Sequence, residues 1–221
     1  MSIDSTNSKQ SYGLALHTSS PELGLALDNF QGDKRCQIWD LGRELSKQLH
    51  LHLSEFLLPQ SWSDLSFIAV AKGPGSFTGT RMGVVTARTL AQQLNLPLFA
   101  ISTLEGMAWQ VFKNDSTLDT STAIALQMPA QRGQLFVAIY KINSQPNQGL
   151  IAELPDTVIS PETWQEILSQ QHTPYQLIKI EGGLGNTASS LLELSHLKQH
   201  QGQQPHWSEA LPFYGQHPVK I

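Results

Sequence analysis

The chain has few cysteines and few charged residues. Cys36 is the single cysteine among 221 residues, so no internal disulfide can form and the fold has to be stable without one, as in proteins of reducing compartments. Charged residues make up 14% of the chain, which is low beside the ~25% of typical soluble domains. The 14 Lys and Arg against 18 Asp and Glu give a net charge of −4, and no basic run is longer than Lys34–Arg35. This composition argues against a protein that binds nucleic acid tightly by itself.

Long apolar runs are absent as well. The longest is far shorter than the ~20 residues that a membrane-spanning helix needs, and the polar first twelve residues lack the apolar core of a signal peptide. We therefore expect no membrane contact and a cytoplasmic location. What the chain does have is 40% hydrophobic residues, which is enough to form a folded core.

Short apolar runs and turn signals predict strands and helices in similar order in two halves, separated by the polar stretch 113–122. This order favours an α/β protein of two related lobes over one open sheet. We expect a disordered tail at 1–11, an N-terminal lobe at 12–112, and a C-terminal lobe at 113–221 whose last segment is free to return to the first lobe. The predicted strands are 12–16, 23–27, 36–41, 67–71, 98–101, 123–128, 135–141 and 176–180, with a short extended piece after the loop 144–149, and the predicted helices are 44–58, 79–94, 104–112, 162–170 and 187–197.

The most informative segment is a glycine-rich turn between a strand and a helix. Its backbone amides could hold a phosphate, but two common phosphate-binding patterns do not fit. Thr78 stands where a dinucleotide fingerprint needs its third glycine, and Thr80 and Arg81 stand where a Walker loop needs lysine followed by serine or threonine. A structural turn is therefore the better interpretation. The turn consists of Gly73, Pro74, Gly75, Ser76, Phe77, Thr78 and Gly79, and Arg81 follows it.

Two helices have the features of packing surfaces. Small residues recur at every fourth position along the helix after the turn, which lets another element approach closely, and the helix 44–58 has apolar residues on two sides. Two interpretations stay open, burial inside the protein and a protein–protein interface. The residues concerned are Gly79, Gly83, Ala87 and Ala91 in the second helix and Leu45, Leu49, Leu51 and Leu53 in the first.

The residues predict no catalytic site, metal site or bound cofactor. Glu193, His196 and His200 share one face of the last predicted helix at a spacing that a metal site would use, but their Gln-rich surroundings favour a solvated helix end. No pair of carboxylates stands at a spacing that suggests acid–base catalysis. Cys36 has only Arg35 as a basic neighbour in sequence, which favours an inert strand cysteine.

With these residues, the chain resembles the TsaB (YeaZ) family of bacterial tRNA threonylcarbamoyladenosine biosynthesis proteins. The resemblance covers about residues 12–215 and rests above all on the glycine turn with the helix behind it. The matching segments are Leu14–Ser20, Gly73–Gly83, Ala87–Ala91, Ile101–Leu104, Arg132–Phe136 and Pro212–Tyr214.

The resemblance implies the actin-like ATPase fold of two related lobes, shared with hexokinase and Hsp70, in a chain that is not itself an enzyme. Proteins of this family bind the catalytic subunit TsaD and so enable threonylcarbamoyl transfer to adenosine 37 of tRNAs that read ANN codons, and the ATPase TsaE joins the complex. The two helices described above would pair with their counterparts in TsaD, or in a second copy, as a four-helix bundle. The chain would contact tRNA only indirectly, through its partner.

The sequence departs from the pattern of the fold at two places. His17 stands where the first strand usually supplies an aspartate, and Pro129–Ala130–Gln131 replaces the Asp-Ala-Arg of the second half. Without a carboxylate to hold magnesium, ATP chemistry loses its electrostatic part, which fits a non-catalytic scaffold. Two alternatives stay open: an ATP-dependent kinase or metallopeptidase-like enzyme of the same fold, supported by the glycine turn alone, and a stand-alone homodimer.

Overall fold

The computed structural model describes residues 11–145 and 148–215. Two mixed β-sheets form the framework of this part of the chain, and helices pack on their faces. The disordered tail predicted at 1–11 lies outside the described residues, apart from Ser11. Among these residues, no helix is long and apolar enough to cross a lipid bilayer.

The first sheet has five strands in the order β3-β2-β1-β4-β5. The first three strands form an antiparallel meander, and β4 and β5 extend the sheet on the other side of β1 in parallel orientation. The strands are β1 (Tyr12–His17), β2 (Glu22–Asp28), β3 (Lys34–Asp40), β4 (Leu65–Ala71) and β5 (Leu98–Ile101).

The second sheet has four strands in the order β8-β7-β6-β9. Its first three strands again form an antiparallel meander, and β9 is parallel to β6. The second sheet therefore repeats the arrangement of the first without its last strand, which confirms the predicted class of two related α/β lobes. The strands are β6 (Ala123–Pro129), β7 (Leu135–Ile142), β8 (Leu150–Ile159) and β9 (Tyr175–Lys179).

The helices cover both faces of each sheet. They are α1 (Leu45–Leu57), α2 (Phe77–Leu94), α3 (Thr103–Asn114), α4 (Pro161–Ser169) and α5 (Ala188–His200), with short 3-10 helices at Gly42–Glu44, Trp62–Asp64, Gln131–Gly133, Leu184–Thr187 and Trp207–Glu209. Side chains alternate between the faces of a strand, so Leu14 and Leu16 pack under α1 and α2, whereas Ala15 packs under α5. Helices α3 and α4 pack on opposite faces of the second sheet.

The structure differs from the sequence prediction mainly in β8 and in the place of α5. β8 is a full strand of ten residues where the sequence predicts a short extended piece. It lies at the edge of the sheet and none of its residues is fully buried, so it lacks the apolar alternation that reveals a half-buried strand. The strands of the two sheets lie on either side of the predicted boundary at 112/113, but α5 packs on the first sheet, against β1, β2 and β4.

Candidate functional site

The glycine turn packs directly on the turn that follows β1. The backbone N–H of Ser76 donates to the carbonyl of Ser19 (2.7 Å), and the hydroxyl of Thr18 donates to the carbonyl of Gly79 (2.8 Å). A Cβ atom at Gly75 would overlap the Ser19 carbonyl oxygen, so no larger residue fits without a backbone shift. This glycine therefore serves a close approach between two backbone segments of the same lobe.

Helix α2 begins at the end of this turn. The Ser76 hydroxyl caps the helix by accepting a hydrogen bond from the backbone N–H of Gly79 (3.2 Å). The Thr80 hydroxyl faces inward and donates to Ser19 Oγ (3.1 Å), whereas the guanidinium of Arg81 lies over the ring of Phe77, 5.4 Å from its centroid. The turn thus has buried residues at Gly73, Pro74 and Gly79, and an exposed side made by Ser76, Phe77 and Thr78.

Seven of the eight residues predicted to contact a partner are buried within the chain, namely Leu45, Leu49, Leu53, Gly79, Gly83, Ala87 and Ala91. A Cβ atom at Gly83 would overlap the Thr18 hydroxyl oxygen. These seven residues therefore pack inside the lobe, which is the first of the two interpretations that the sequence left open. The spacing of small residues does indicate close packing, but the element that α2 approaches is the lobe's own sheet. Leu51 alone among the eight is exposed, at 54%.

The sides of α1 and α2 that point away from the sheet carry exposed apolar side chains. Leu51 on α1, Leu58 just after α1, and Phe77 and Val85 on α2 are exposed by 41–67%. We call these four residues the outer helix surface. Because single exposed apolar residues are common but groups of them on adjacent elements mark interaction sites, this surface is the strongest candidate for partner binding.

The two helices are neighbours across a groove. The groove has a volume of about 440 Å³ and lies at their N-terminal ends, next to the β1 turn. Arg43 and Ser46 line it on the α1 side, and Ser76, Thr78 and Met82 line it on the α2 side. The N-terminal ends of α1 and α2 therefore face the same groove.

His17 occupies the end of β1, and its side chain is completely buried. Neither ring nitrogen has a hydrogen-bond partner within the described residues. Burial lowers the pKa of the imidazole to about 3, so the ring is neutral at pH 7. Magnesium prefers oxygen ligands, and a buried neutral imidazole offers none.

The corresponding end of β6 offers no carboxylate either. Pro129 is its last residue, and within residues 11–145 and 148–215 no group of three or more His, Cys, Asp or Glu side chains could hold a metal ion. The two lobes touch directly at β2: the Glu22 carboxylate accepts a hydrogen bond from the backbone N–H of Gly185 (2.7 Å), and a Cβ atom at Gly24 would overlap the Gly185 carbonyl. The ends of β1 and β6, at His17 and Pro129, therefore carry no metal-holding pair of carboxylates.

Two polar pairs were not found by sequence reasoning, one within the second sheet and one between α3 and α5. The Tyr140 hydroxyl donates to Asp156 Oδ1 (3.0 Å), and burial raises the pKa of the Asp156 carboxyl. Nearby, Lys198 on α5 donates to Glu105 on α3 (2.8 Å). These partners lie between 16 and 93 residues apart in the sequence, so no local pattern could have revealed them.

Arg35 has a structural role that its place in a basic pair did not suggest. Its guanidinium donates to the carbonyls of Phe56, Leu57 and Leu58 at 2.9–3.1 Å, and to the side chain of Gln60 at 2.6 Å. The last carbonyls of a helix lack partners inside the helix. Arg35 therefore closes the C-terminal end of α1 from the neighbouring strand.

The three residues with metal-like spacing on α5 separate into two groups. Glu193 Oε2 accepts a hydrogen bond from the indole N–H of Trp109 (2.8 Å), while the Nε2 atoms of His196 and His200 lie 3.0 Å apart.

The single cysteine, Cys36, lies exposed on β3.

The comparisons with known proteins agree on one family. Residues 47–180, about three fifths of the chain, match the family model described as TsaD, tRNA N6-adenosine threonylcarbamoyltransferase. The chain is 39% identical over 112 residues to the tRNA threonylcarbamoyladenosine biosynthesis protein TsaB of Bacillus subtilis, which covers 50% of the chain and 44% of that protein. It is 28% identical over 159 residues to the Escherichia coli protein of the same name, which covers 71% of the chain and 66% of that protein. The matched parts thus span less than two thirds of both relatives.

A solved structure supports the same assignment at the level of the fold. A Pseudomonas aeruginosa protein, described as uncharacterized with similarity to peptidase YEAZ, superposes with a TM-score of 0.75 at 20% identity, over 93% of this chain and all of that one. At this identity the likeness shows the fold. Together with the family match and the curated relatives, it shows that the chain belongs to the TsaD family as one of its TsaB (YeaZ) proteins.

Proposed function

We propose that the chain is a non-catalytic scaffold subunit that binds TsaD. In this role it supports the formation of N6-threonylcarbamoyladenosine at position 37 of tRNAs that read ANN codons, in a complex that TsaE joins. The proposal rests on the outer helix surface, whose four apolar side chains on or next to α1 and α2 are 41–67% exposed, in a chain whose relatives are named for this pathway. It implies a cytoplasmic location, because the tRNA substrate is there.

The ends of β1 and β6 favour a scaffold over an enzyme. His17 and Pro129 cannot hold magnesium on a nucleotide, and a catalyst of phosphoryl transfer depends on that ion for charge stabilisation. We expect the purified chain to show background ATP hydrolysis with Mg²⁺ and no threonylcarbamoyl transfer by itself. ATP turnover that Ser76→Ala or Thr78→Ala abolishes would instead favour the enzyme alternative.

Covering the outer helix surface would supply useful binding free energy. Burying roughly 100 Å² of a leucine side chain contributes about 2 kcal/mol, and Leu51 and Val85 are each more than half exposed. A charge placed at either position would have to be buried without a partner, which adds a desolvation cost to the lost contact. The interface is therefore tested best by introducing a carboxylate.

The test compares Leu51→Glu and Val85→Glu with Ile151→Glu. Ile151 is a matched control because it is a 49% exposed apolar residue on β8, in the second sheet. We expect the two helix variants to bind TsaD at least tenfold more weakly by calorimetry, while the control binds like the wild type and all three melt normally. Unchanged affinity of both helix variants would place the interface elsewhere.

A second copy of the chain could cover the same surface. Analytical ultracentrifugation of the chain alone, followed by addition of TsaD, separates the two occupants. The scaffold proposal predicts that TsaD displaces any homodimer and that Leu51→Glu weakens both assemblies. A homodimer that persists in the presence of excess TsaD would favour the stand-alone alternative.

A further inference from the structure

Strand β3 forms one edge of the first sheet, and no other strand of the described residues pairs with its outer side. Five of its seven residues are exposed and none is buried. An edge strand presents backbone N–H and C=O groups without partners, and these groups can pair with a strand of another chain. The register and the side chains of β3 decide which chain fits.

The hairpin between β2 and β3 determines which backbone groups point outward. The N–H of Asn29 donates to the carbonyl of Asp33 (3.1 Å), and hydrogen-bonded pairs recur at every second residue of an antiparallel ladder. Leu25 and Gln37, four residues further along each strand, are therefore a hydrogen-bonded pair of β2 and β3. The even-numbered residues of β3 direct their backbone groups toward the free edge.

We propose that two copies of this chain pair through β3, antiparallel, with the two-fold axis at Gln37. In this register, outward-directed residues meet each other: Lys34 lies opposite Asp40 of the second copy, and Cys36 lies opposite Ile38 of the second copy. Gln37 faces its own counterpart on the axis. The same surface is used on both copies, so the contact closes at two and does not extend into a filament.

The charges at the ends of β3 favour this partner. Within residues 11–145 and 148–215, neither Lys34 nor Asp40 forms an ion pair. Asp40 lies opposite Glu22 on β2, so two carboxylates stand side by side, which is unfavourable when no cation is near. Pairing brings the Lys34 ammonium of the second copy next to them, and the two-fold axis repeats this contact at the other end.

The remaining side chains of β3 are compatible with pairing. Ile38 is 45% exposed, and the second copy would cover it. Basic residues commonly protect an edge strand from pairing, but the guanidinium of Arg35 is turned to the carbonyls at the end of α1. A single pair of short strands makes a small interface, so we expect a dimer in the micromolar range.

A cysteine at position 37 tests the register. The Cα atoms of a non-hydrogen-bonded antiparallel pair are ~4.5 Å apart, which a disulfide can bridge. Under mild oxidation, Cys36→Ser/Gln37→Cys should therefore form a covalent dimer on non-reducing gels. Cys36→Ser/Asp40→Cys is the matched control, because position 40 lies three residues from the axis and its counterpart is ~20 Å away.

Charge reversal tests the partner. Asp40→Lys and Lys34→Asp each place like charges opposite one another at both ends, so each variant should dimerise about tenfold more weakly than the wild type in analytical ultracentrifugation. A mixture of the two variants restores opposite charges at both ends and should form a heterodimer with the affinity of the wild type. Thermal melting of each variant checks that it is folded.

Two results would overturn the proposal. One is equal cross-linking of the two cysteine variants, and the other is a mixture that dimerises no better than either charge variant alone. Leu51→Glu alters the outer helix surface and should leave the β3 dimer unchanged. The competition between TsaD and a second copy for the outer helix surface is measured in Asp40→Lys, where pairing through β3 is weakened, so the two proposals fail independently.

Discussion

Acid should destabilise this protein through His17. The imidazole is completely buried without a hydrogen-bond partner among the described residues. Protonation would place an uncompensated charge in the core, which is far more costly than the neutral ring. The effect can be calculated from the pKa in the folded and unfolded states.

The folded-state pKa of His17 is lowered to about 3, whereas a histidine in an unfolded chain titrates near ~6.5. The unfolded state therefore binds more protons below this value, so stability is complete above pH ~6.5 and falls as the pH drops toward the folded-state pKa. At pH ~5.0 linkage gives a loss of about 2 kcal/mol from this residue alone.

Urea unfolding at pH 7.5 and at pH 5.0 measures this loss. His17→Met replaces the ring with an apolar side chain of similar size, so the variant should lose about 2 kcal/mol less than the wild type between the two pH values. His50→Met is the control, because His50 is exposed on α1. Equal losses in the wild type and in His17→Met would refute the assignment of a buried neutral imidazole.

Two sets of substitutions and one binding measurement test other features of the protein. Gly83→Leu or Ala87→Trp should lower the melting temperature, because overpacking against the first sheet costs ~1–3 kcal/mol or more. Variants that melt normally but lose TsaD binding would contradict the conclusion that the small residues of α2 face the sheet. Arg35→Ala should destabilise the protein by ~1–3 kcal/mol in urea unfolding because carbonyls at the end of α1 lose their donor, and Arg35→Lys should recover only part of this. The isolated chain should bind tRNA weakly in filter-binding assays because its net charge is −4, and sub-micromolar, strongly salt-dependent binding would contradict this.

The elements that the sequence predicts well are those with a strong local pattern. The uninterrupted run 12–16 indicated a buried strand, and Leu14 and Ala15 of β1 do pack in different cores. The glycine turn was also recognisable, because its composition suits a strand-to-helix connection. Local order along the chain was enough to predict the two-lobed class.

The sequence could not predict which part of the molecule packs on each face of a helix. The small residues on α2 have the same spacing whether they meet another protein or their own sheet, so the spacing alone left both interpretations open. Glu193 and His196 share a helical face, yet Trp109 from α3 binds one and Phe30 stacks on the other. Such choices depend on contacts across the chain, which periodicity does not encode.

The position of α5 has a consequence for how the protein is made. The strands of the first sheet are complete once residue 101 is synthesised, but helix α5 at 188–200, which packs on the face that carries Ala15, Ala26 and Ala69, is synthesised much later. At ~5–20 residues per second, the ribosome takes roughly 5–20 s to synthesise residues 102–200. During this interval the nascent sheet presents an uncovered apolar face, which chaperones can bind. A ribosome-bound chain in which the whole of 12–112 has emerged should therefore stay sensitive to protease, and one that has also released α5 should become resistant.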